Sequence, residues 1–342
     1  MTRLLQAMAG APHGGAEAFF ERLAPALQRA GVEQRVLIRS NAKRAALLRA
    51  GGVEVAELPF GGALDLVTRW RMAQEIKQFH PDLILSWMNR ASKFVPKGNH
   101  VQVGRLGGYY DLKYYRRCDH LIGNTQDIRD WIVAQGWPAE RAHYVPNFVT
   151  DLRGAKPVSR ASLDTPPDAP LLVAMGRLHV NKGFDVLLHA LEQVHDCYLW
   201  IAGEGPLRAE LEALAAHLAV KPRVRFLGWR DDTAALYASG DVFVCPSRHE
   251  PLGNVVIEAW SAAKPVIACA SQGPRQLITE GGDGILTPID DAKSLAEAIG
   301  HLLAEPAAAQ AMAQAGRKAY EECFTESAVV ARYLDFFDKV KR

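Results

Sequence analysis

The stretch "PLLVAMGRLHVNKGFDVLL", residues 170–188, decides the fold. Its opening, "PLLVAMG", is a short unbroken apolar run, as expected of a strand buried on both faces of a parallel sheet. The run ends in a glycine, and a polar loop then leads into a helical segment. Similar apolar runs recur along the chain: "QRVLIRS", "VEVAEL", "DLILSW", "VQVGRL" and "HLIGN" in the first half, "CYLWIAG", "RVRFLG", "DVFVCPS" and "KPVIACA" in the second. Segments of helical period, such as 16–30 and 207–218, separate them. This alternation predicts an α/β protein built of βα units with parallel sheets, doubly wound in each half.

A chain of 342 residues is longer than most single cores, which split beyond roughly 250–300 residues. The stretch "PNFVTDLRGAKPVSRASLDTPPDAP" concentrates proline and polar residues without a sustained period, which predicts a linker near 147–170. The resulting division is an N-terminal domain over 1–150, a C-terminal domain over 151–325 and a closing helix over 326–342, with lysine and arginine in its last turn and expected to pack back toward the N-terminal domain. Sheets of this kind bind ligands at the carboxyl ends of their strands, so function is expected on the strand-to-helix loops and in a crevice between the domains.

Composition excludes several classes. With 49% hydrophobic and 23% charged residues, neither disorder nor a fibrous repeat is expected. Cys118, Cys197, Cys245, Cys269 and Cys323 are scattered, without a CxxC or Cys/His cluster, and read as buried thiols of a reducing cytosol rather than zinc ligands. The N-terminal "MTRLLQAMAGAPHGG" suits a first strand better than a signal peptide. No run of 18 apolar residues exists to span a membrane. The net charge of +2 conceals an asymmetry: residues 1–150 carry 20 Lys and Arg against 13 Asp and Glu, and residues 151–342 carry 20 against 25. A basic half suits an anionic membrane surface, a phosphorylated glycan or nucleic acid; an unevenly solvated surface explains it equally well.

Four loops have residues that strand ends do not need. Gly14 and Gly15 open a helix and could let backbone amides approach an anion, although a tight turn alone explains them. Arg177 and Lys182 share one loop, suited to a diphosphate, since Arg can bind two oxygens at once and Lys acts as a point charge. "AGEGPLRAEL" adds a glycine-rich turn whose Gly203 and Gly205 are candidate contacts to the donor, although it is not a dinucleotide fingerprint. In "RHEPLGNVVIEA", a helix beginning near Asn254 leaves the amides around Leu252, Gly253 and Asn254 free to hold phosphate, while Glu250 and Glu258 could both face one ligand as acceptors for sugar hydroxyls. Dipole stabilisation and surface exposure explain each acid singly but not the pair.

"HEPLGNVVIEA" resembles the E-x7-E motif of retaining GT-B glycosyltransferases, and "GRLHVNKGFDVLL" resembles their phosphate-binding loop. "HGGAEAFF", "GNTQDIRDWI", "YVPNFV", "GEGP", "VRFLGW" and "LYASGDVFVCPS" extend the likeness over nearly the whole chain, most closely to family 4 enzymes of bacterial lipopolysaccharide core and surface glycan synthesis. The resemblance implies two Rossmann-like domains facing across a cleft, with the first binding acceptor and the second a nucleotide sugar. It assigns the donor diphosphate to Arg177 and Lys182, the donor sugar to Glu250 and the ribose to Glu258. Trp229 and Arg230 would lie near the base, and Gly14 and Gly15 near the phosphates. One departure stands out: Gly107, Gly108 and Tyr109 occupy the loop where many relatives carry a histidine.

No D-x-D motif occurs, so no metal or other cofactor is expected and charge must come from protein. The aromatic and basic clusters around Trp70, around Asn89 and Arg90, and around Tyr109 and Tyr110 suit a glycan or glycolipid acceptor and peripheral contact with an anionic membrane, on the cytoplasmic face. Core tyrosines and a solvated basic rim explain each cluster taken singly. Two other readings share the fold: a sugar-nucleotide 2-epimerase, which would need a cleft carboxylate and histidine set, and a non-catalytic glycan or nucleotide module. Nucleic acid is disfavoured, because the bases follow no recognition motif.

Overall fold

The computed structural model describes residues 2–12, 14–62 and 64–341, and the chain divides into two compact units. Residues 1–148 with 326–342 make the first, and residues 149–325 the second. In chain order the first unit contains β1 (Arg3–Met8), α1 (Gly15–Arg29), β2 (Glu33–Arg39), α2 (Ala42–Ala50), β3 (Glu54–Leu58), α3 (Leu66–Phe79), β4 (Leu83–Trp87), α4 (Met88–Phe94), β5 (Val101–Leu106), β6 (His120–Gly123), α5 (Gln126–Ala134) and β7 (Ala142–Tyr144). The second contains β8 (Leu171–Met175), α6 (Phe184–Gln193), β9 (Tyr198–Ala202), α7 (Arg208–His217), β10 (Val224–Gly228), α8 (Thr233–Ser239), β11 (Val242–Cys245), α9 (Asn254–Ser261), β12 (Val266–Cys269), α10 (Gln272–Leu277), β13 (Ile285–Thr287), α11 (Ala292–Ala304) and α12 (Pro306–Cys323). The last helix, α13 (Glu326–Val340), returns to the first unit.

Both sheets are parallel and doubly wound, in the orders β3-β2-β1-β4-β5-β6-β7 and β10-β9-β8-β11-β12-β13. Sequence order reverses between β1 and β4 and again between β8 and β11, and at such switch points adjoining loops diverge to leave a crevice. The unbroken apolar runs follow from this layout, because helices cover both faces. Every residue of β4, β5, β11 and β12 is buried.

The proline-rich stretch before β8 is not free chain. Val149 is buried in the second unit's core, and the Val158 amide donates to Ser239 Oγ at 2.8 Å. Arg160 forks onto both carboxylate oxygens of Asp241, and Thr165 accepts from the buried Trp200 indole at 2.9 Å. At the other end, α13 buries Val329, Val330, Tyr333, Phe336 and Phe337 in the core beneath α1. Tyr333 Oη accepts from Arg105 Nε at 2.8 Å. Arg105 itself is buried between the rings of Phe19 and Trp87 and donates to Asn147 at 2.5 Å, so a cation is held by rings and neutral acceptors.

The C-terminal helix also covers a histidine pair. His120 Nδ1 and His143 Nε2, on β6 and β7, lie 3.1 Å apart, and the Phe336 ring centre is 4.7 Å from that of His143. Burial, then the neighbouring imidazole, lowers His143 to about 4, and burial lowers His120 as well. An unfolded histidine titrates near 6.5, so between these values the unfolded chain binds more protons. The contribution to stability is therefore full above pH about 6.5, shrinks as pH falls and is exhausted below about 4. The thermal midpoint of the native protein should fall more steeply across that window than that of His143→Gln, which stays neutral. Parallel profiles would remove the pair from the account.

Candidate active site

Four loops at the carboxyl edge of the second sheet meet backbone to backbone, and glycines let them do so. Gly203 has φ +139°, and a Cβ there would stand 2.0 Å from the Gly176 carbonyl oxygen. A Cβ at Gly205 would lie 2.3 Å from the carbonyl of Leu178, and one at Gly183, φ +62°, would lie 2.1 Å from that of Pro246. Amide hydrogen bonds follow the same contacts: Gly176 to Ala202 at 3.0 Å, Leu178 to Glu204 at 3.0 Å and Gly203 to Gly228 at 2.8 Å. Gly203 and Gly205, read from sequence as ligand-contacting, thus have a packing role that accounts for them.

The packing brings together residues far apart in sequence. Lys182, on the turn before α6, forms an ion pair through Nζ with Glu250 Oε2. The pair is largely shielded, with side-chain exposures of 23% and 11%. The Glu250 backbone carbonyl accepts from Gly273 at 2.7 Å, and its other carboxylate oxygen lies 3.4 Å from the Gly253 amide. Gly253, φ +72°, caps α9, so one of the free amides at this helix start already faces a carboxylate. Leu252 and Asn254 flank it. Arg177 is exposed and makes no hydrogen bond or ion pair among the described residues.

Glu258 lies one turn into α9. Its Oε2 accepts from Tyr237 Oη at 3.0 Å. Burial, then the Glu258 charge, drives the Tyr237 hydroxyl far above its ordinary range, so it remains a donor. Trp229 is 75% exposed, with its indole on Asp231 at 2.9 Å, and Arg230 is paired with Asp232 at 2.6 Å.

Sequence reasoning passed over Arg248, two residues before Glu250. Its guanidinium donates to the Val180 carbonyl at 2.8 Å and to both oxygens of Asp185, and also pairs with Asp290 at 2.5 Å. Burial acts to raise Asp185, but the Arg248 hydrogen bonds and charge hold it below its usual value. Arg248 therefore ties the Lys182 loop to the Glu250 loop. Tyr237 was also missed, although it stands inside "LYASGDVFVCPS". Among the described residues, Asn254 Oδ1, Ser271 Oγ and Gln272 Oε1 are buried without hydrogen-bond partners, and the loop carrying the last two packs on Leu252 and Gly253 through Gly273. Single-sequence reading has no signal for unsatisfied acceptors.

In the first unit, the buried Glu17 carboxylate holds the loop before α1, accepting from the Ala11 amide at 2.7 Å. A Cβ at Gly14 would stand 2.3 Å from Glu17 Oε2, whereas Gly15 faces open space. The Glu17 charge adds to burial in raising Tyr110. Tyr109 stacks edge-on against Trp131 at 5.5 Å and bonds Asp127, Asn89 accepts from the fully buried Tyr115 at 2.8 Å, and Arg90 is exposed. Gly107 and Gly108 are half-buried beside Asn124 and Tyr110. Among the described residues, no group of three or more His, Cys, Asp or Glu is placed to hold a metal ion.

Residues 13–151 match the family model described as Glycosyltransferase Family 4, and residues 169–305 match Glycosyl transferases group 1. The chain belongs to the family 4 glycosyltransferases. It is 38% identical over 330 residues to the lipopolysaccharide core biosynthesis glycosyltransferase LpsD of Rhizobium meliloti, covering 95% of each chain. LpsE of the same organism is 36% identical over 326 residues, covering 94% of this chain and 95% of its own. Among solved structures, a glycosyltransferase from Rickettsia africae superposes with a TM-score of 0.88 at 18% identity, covering 99% of this chain and 98% of that one. Anabaena HepE in complex with UDP-glucose gives 0.82 at 20% identity, covering 99% and 100%. These likenesses establish the GT-B fold: two parallel-sheet, Rossmann-like units.

The close approaches separate two kinds of glycine. Gly203→Ala forces a side chain into a carbonyl at a left-handed φ and should lower unfolding free energy by at least about 2–3 kcal/mol in urea denaturation. Gly15→Ala meets nothing and should change it by less than about 1 kcal/mol. Equal losses would show that the loop packing does not carry this edge.

Proposed function

We propose that the protein is a retaining hexosyltransferase that moves a hexose from a nucleoside-diphosphate sugar to a glycan or glycolipid acceptor in lipopolysaccharide core or related surface-glycan synthesis. The observation that carries this reading is the shielded Lys182–Glu250 pair on one loop edge with Glu258 and the exposed Arg177. The names of LpsD and LpsE, similar over nearly their whole length, support the core-synthesis setting. As the bond between the sugar and the diphosphate breaks, negative charge grows on the departing group. Arg177, Lys182 and the start of α9 are suited to stabilise it, and cation charge in a water-shielded site is worth several kcal/mol. Glu250 would hold the sugar and Glu258 the ribose, while Trp229 and Arg230 would border the base. Gly14 and Gly15 would lie near the phosphates. Same-face attack by the acceptor hydroxyl through an oxocarbenium-like state requires no protein nucleophile.

The acceptor would lie on the first unit, near Asn89, Arg90, Tyr109 and Tyr110. Its basic excess supports peripheral association with an anionic membrane on the cytoplasmic face. No helix among the described residues is long and apolar enough to cross a membrane.

Glu250 is bound to Lys182, so the two carboxylates should fail differently. Glu258→Gln should weaken both nucleoside diphosphate and intact donor by about 1.5–3 kcal/mol, the worth of a charged hydrogen-bonding group. Glu250→Gln releases Lys182 and should leave nucleoside diphosphate affinity unchanged or tighter, while turnover falls by on the order of a hundredfold. Calorimetry with UDP, GDP and ADP and their sugars measures both. Loss of nucleoside diphosphate affinity in Glu250→Gln as severe as in Glu258→Gln would sink the division of roles.

The absence of a D-x-D motif leads to a second expectation. Transfer should persist in excess EDTA. Activity lost on chelation and restored by magnesium or manganese would overturn metal independence.

A further inference from the structure

Helix α3 faces the core along Thr68, Met72 and Phe79, all buried, with Ile76 half-buried beside them. Its outer stripe changes character along its length. Ala73, Gln74, Lys77 and Gln78 are the small and polar residues usual on a solvated face. The first turns instead expose Leu66 at 73%, Val67 at 55% and Trp70 at 64%, and Leu64 just before them is 92% exposed. These are four of the nine large apolar side chains exposed among the described residues, and they fall within seven positions. Scattered apolar residues need no explanation, but a contiguous projecting group marks a contact site.

Its surroundings indicate what it contacts. The loop from β3 into α3 opens at the carboxyl edge of the first sheet, as do α4 after β4 and the short turn Leu112–Tyr115 after β5. These elements are joined: the Phe60 and Phe94 rings are 5.7 Å apart, Arg69 sits 5.5 Å over Phe94, and Lys93 and Lys113 sit 3.8 and 4.9 Å over Tyr114. Residues 88–98 carry Arg90, Lys93 and Lys97 with no acid, and residues 107–117 carry Lys113, Arg116 and Arg117 with one, Asp111. All six bases are exposed. Acids on this edge are engaged locally: Asp111 with Lys113, Asp65 as the cap of α3, Asp127 with Tyr109 and Glu17 with the Ala11 amide.

We propose that Leu64, Leu66, Val67 and Trp70 form an apolar knuckle that enters the interfacial layer of a bilayer containing anionic lipid, with the basic collar resting on its headgroups. The inference deepens the reading of a lipid-linked acceptor and rests on it. A tryptophan at the tip suits the headgroup boundary, where its ring meets acyl chains and its indole N–H meets water. Each base near such a surface adds attraction that salt screens. The apolar tip adds attraction that salt does not screen. The charge excess selects a membrane over a second copy of this chain, whose own collar would repel it.

Co-sedimentation of the full chain with phosphatidylcholine vesicles, with and without phosphatidylglycerol, tests this. The native protein should bind the anionic vesicles, and added salt should weaken that binding without abolishing it. Leu66→Ser combined with Trp70→Ser should reduce it at least tenfold, with an unchanged thermal midpoint because both residues are exposed. Lys93→Ser combined with Lys97→Ser should flatten the salt dependence. Equal binding by the native protein and the Leu66/Trp70 variant would overturn the proposal, as would absence of native binding. A native dimer that the same variant turns into monomer in sedimentation velocity would assign the knuckle to self-association instead. Calorimetry with nucleoside diphosphate on the same samples separates the two readings. Donor binding without vesicle binding rejects the knuckle alone, and no donor binding rejects the glycosyltransferase roles themselves.

Discussion

The carboxyl edge of the second sheet depends on one constraint: its loops touch through backbone, with no room for a side chain between them. Gly176, Gly203 and Gly205 bring the loops after β8 and β9 into contact, Gly183 brings the start of α6 against Pro246, and Gly273 seats the loop after β12 on Leu252 and Gly253. Close-packed backbone has few ways to relax, so groups carried on it are held in register. That rigidity lets a lysine near the start of the unit and a glutamate 68 residues later share an ion pair. The glycines act here as structure, whatever ligand approaches them.

Charge on this edge is divided by partner. Arg248 is spread over Asp185, Asp290 and a carbonyl, so it braces loops. Lys182 and Glu250 satisfy one another in a shielded place, where each would be costly alone. Arg177 is exposed. Cations that look alike in the sequence thus differ in their surroundings: Arg177 has no partner among the described residues, Lys182 is held by Glu250, and Arg248 is occupied. Glu258 is likewise fixed by Tyr237, a donor whose burial keeps its proton in place.

The first unit solves a similar problem with a carboxylate. Glu17 turns back into the loop before its own helix and lies against Gly14, so the glycine pair is asymmetric: one member faces a carboxylate and the other faces open space. The aromatic clusters divide in the same way. Tyr115 is core, Tyr109 is bound to α5, and Trp70 projects outward. Composition alone placed all of them together.

The sequence by itself determined the architecture. Apolar runs such as "PLLVAMG" and "DVFVCPS" are unbroken because parallel strands are covered on both faces, a property of local composition that needs no knowledge of partners. The helix start at Asn254 and the two glutamates around it were also legible, since caps and spacing are local. Only the tertiary structure decided which charges meet and that the segment before β8 docks on the second unit. Those depend on distances between loops far apart in the chain. Asp151 and Arg317 pair at 2.6 Å across 166 positions, and no period or motif records such a contact. Local physics writes itself into neighbouring residues, whereas an ion pair or a backbone contact between loops exists only once the sheets have set those loops side by side.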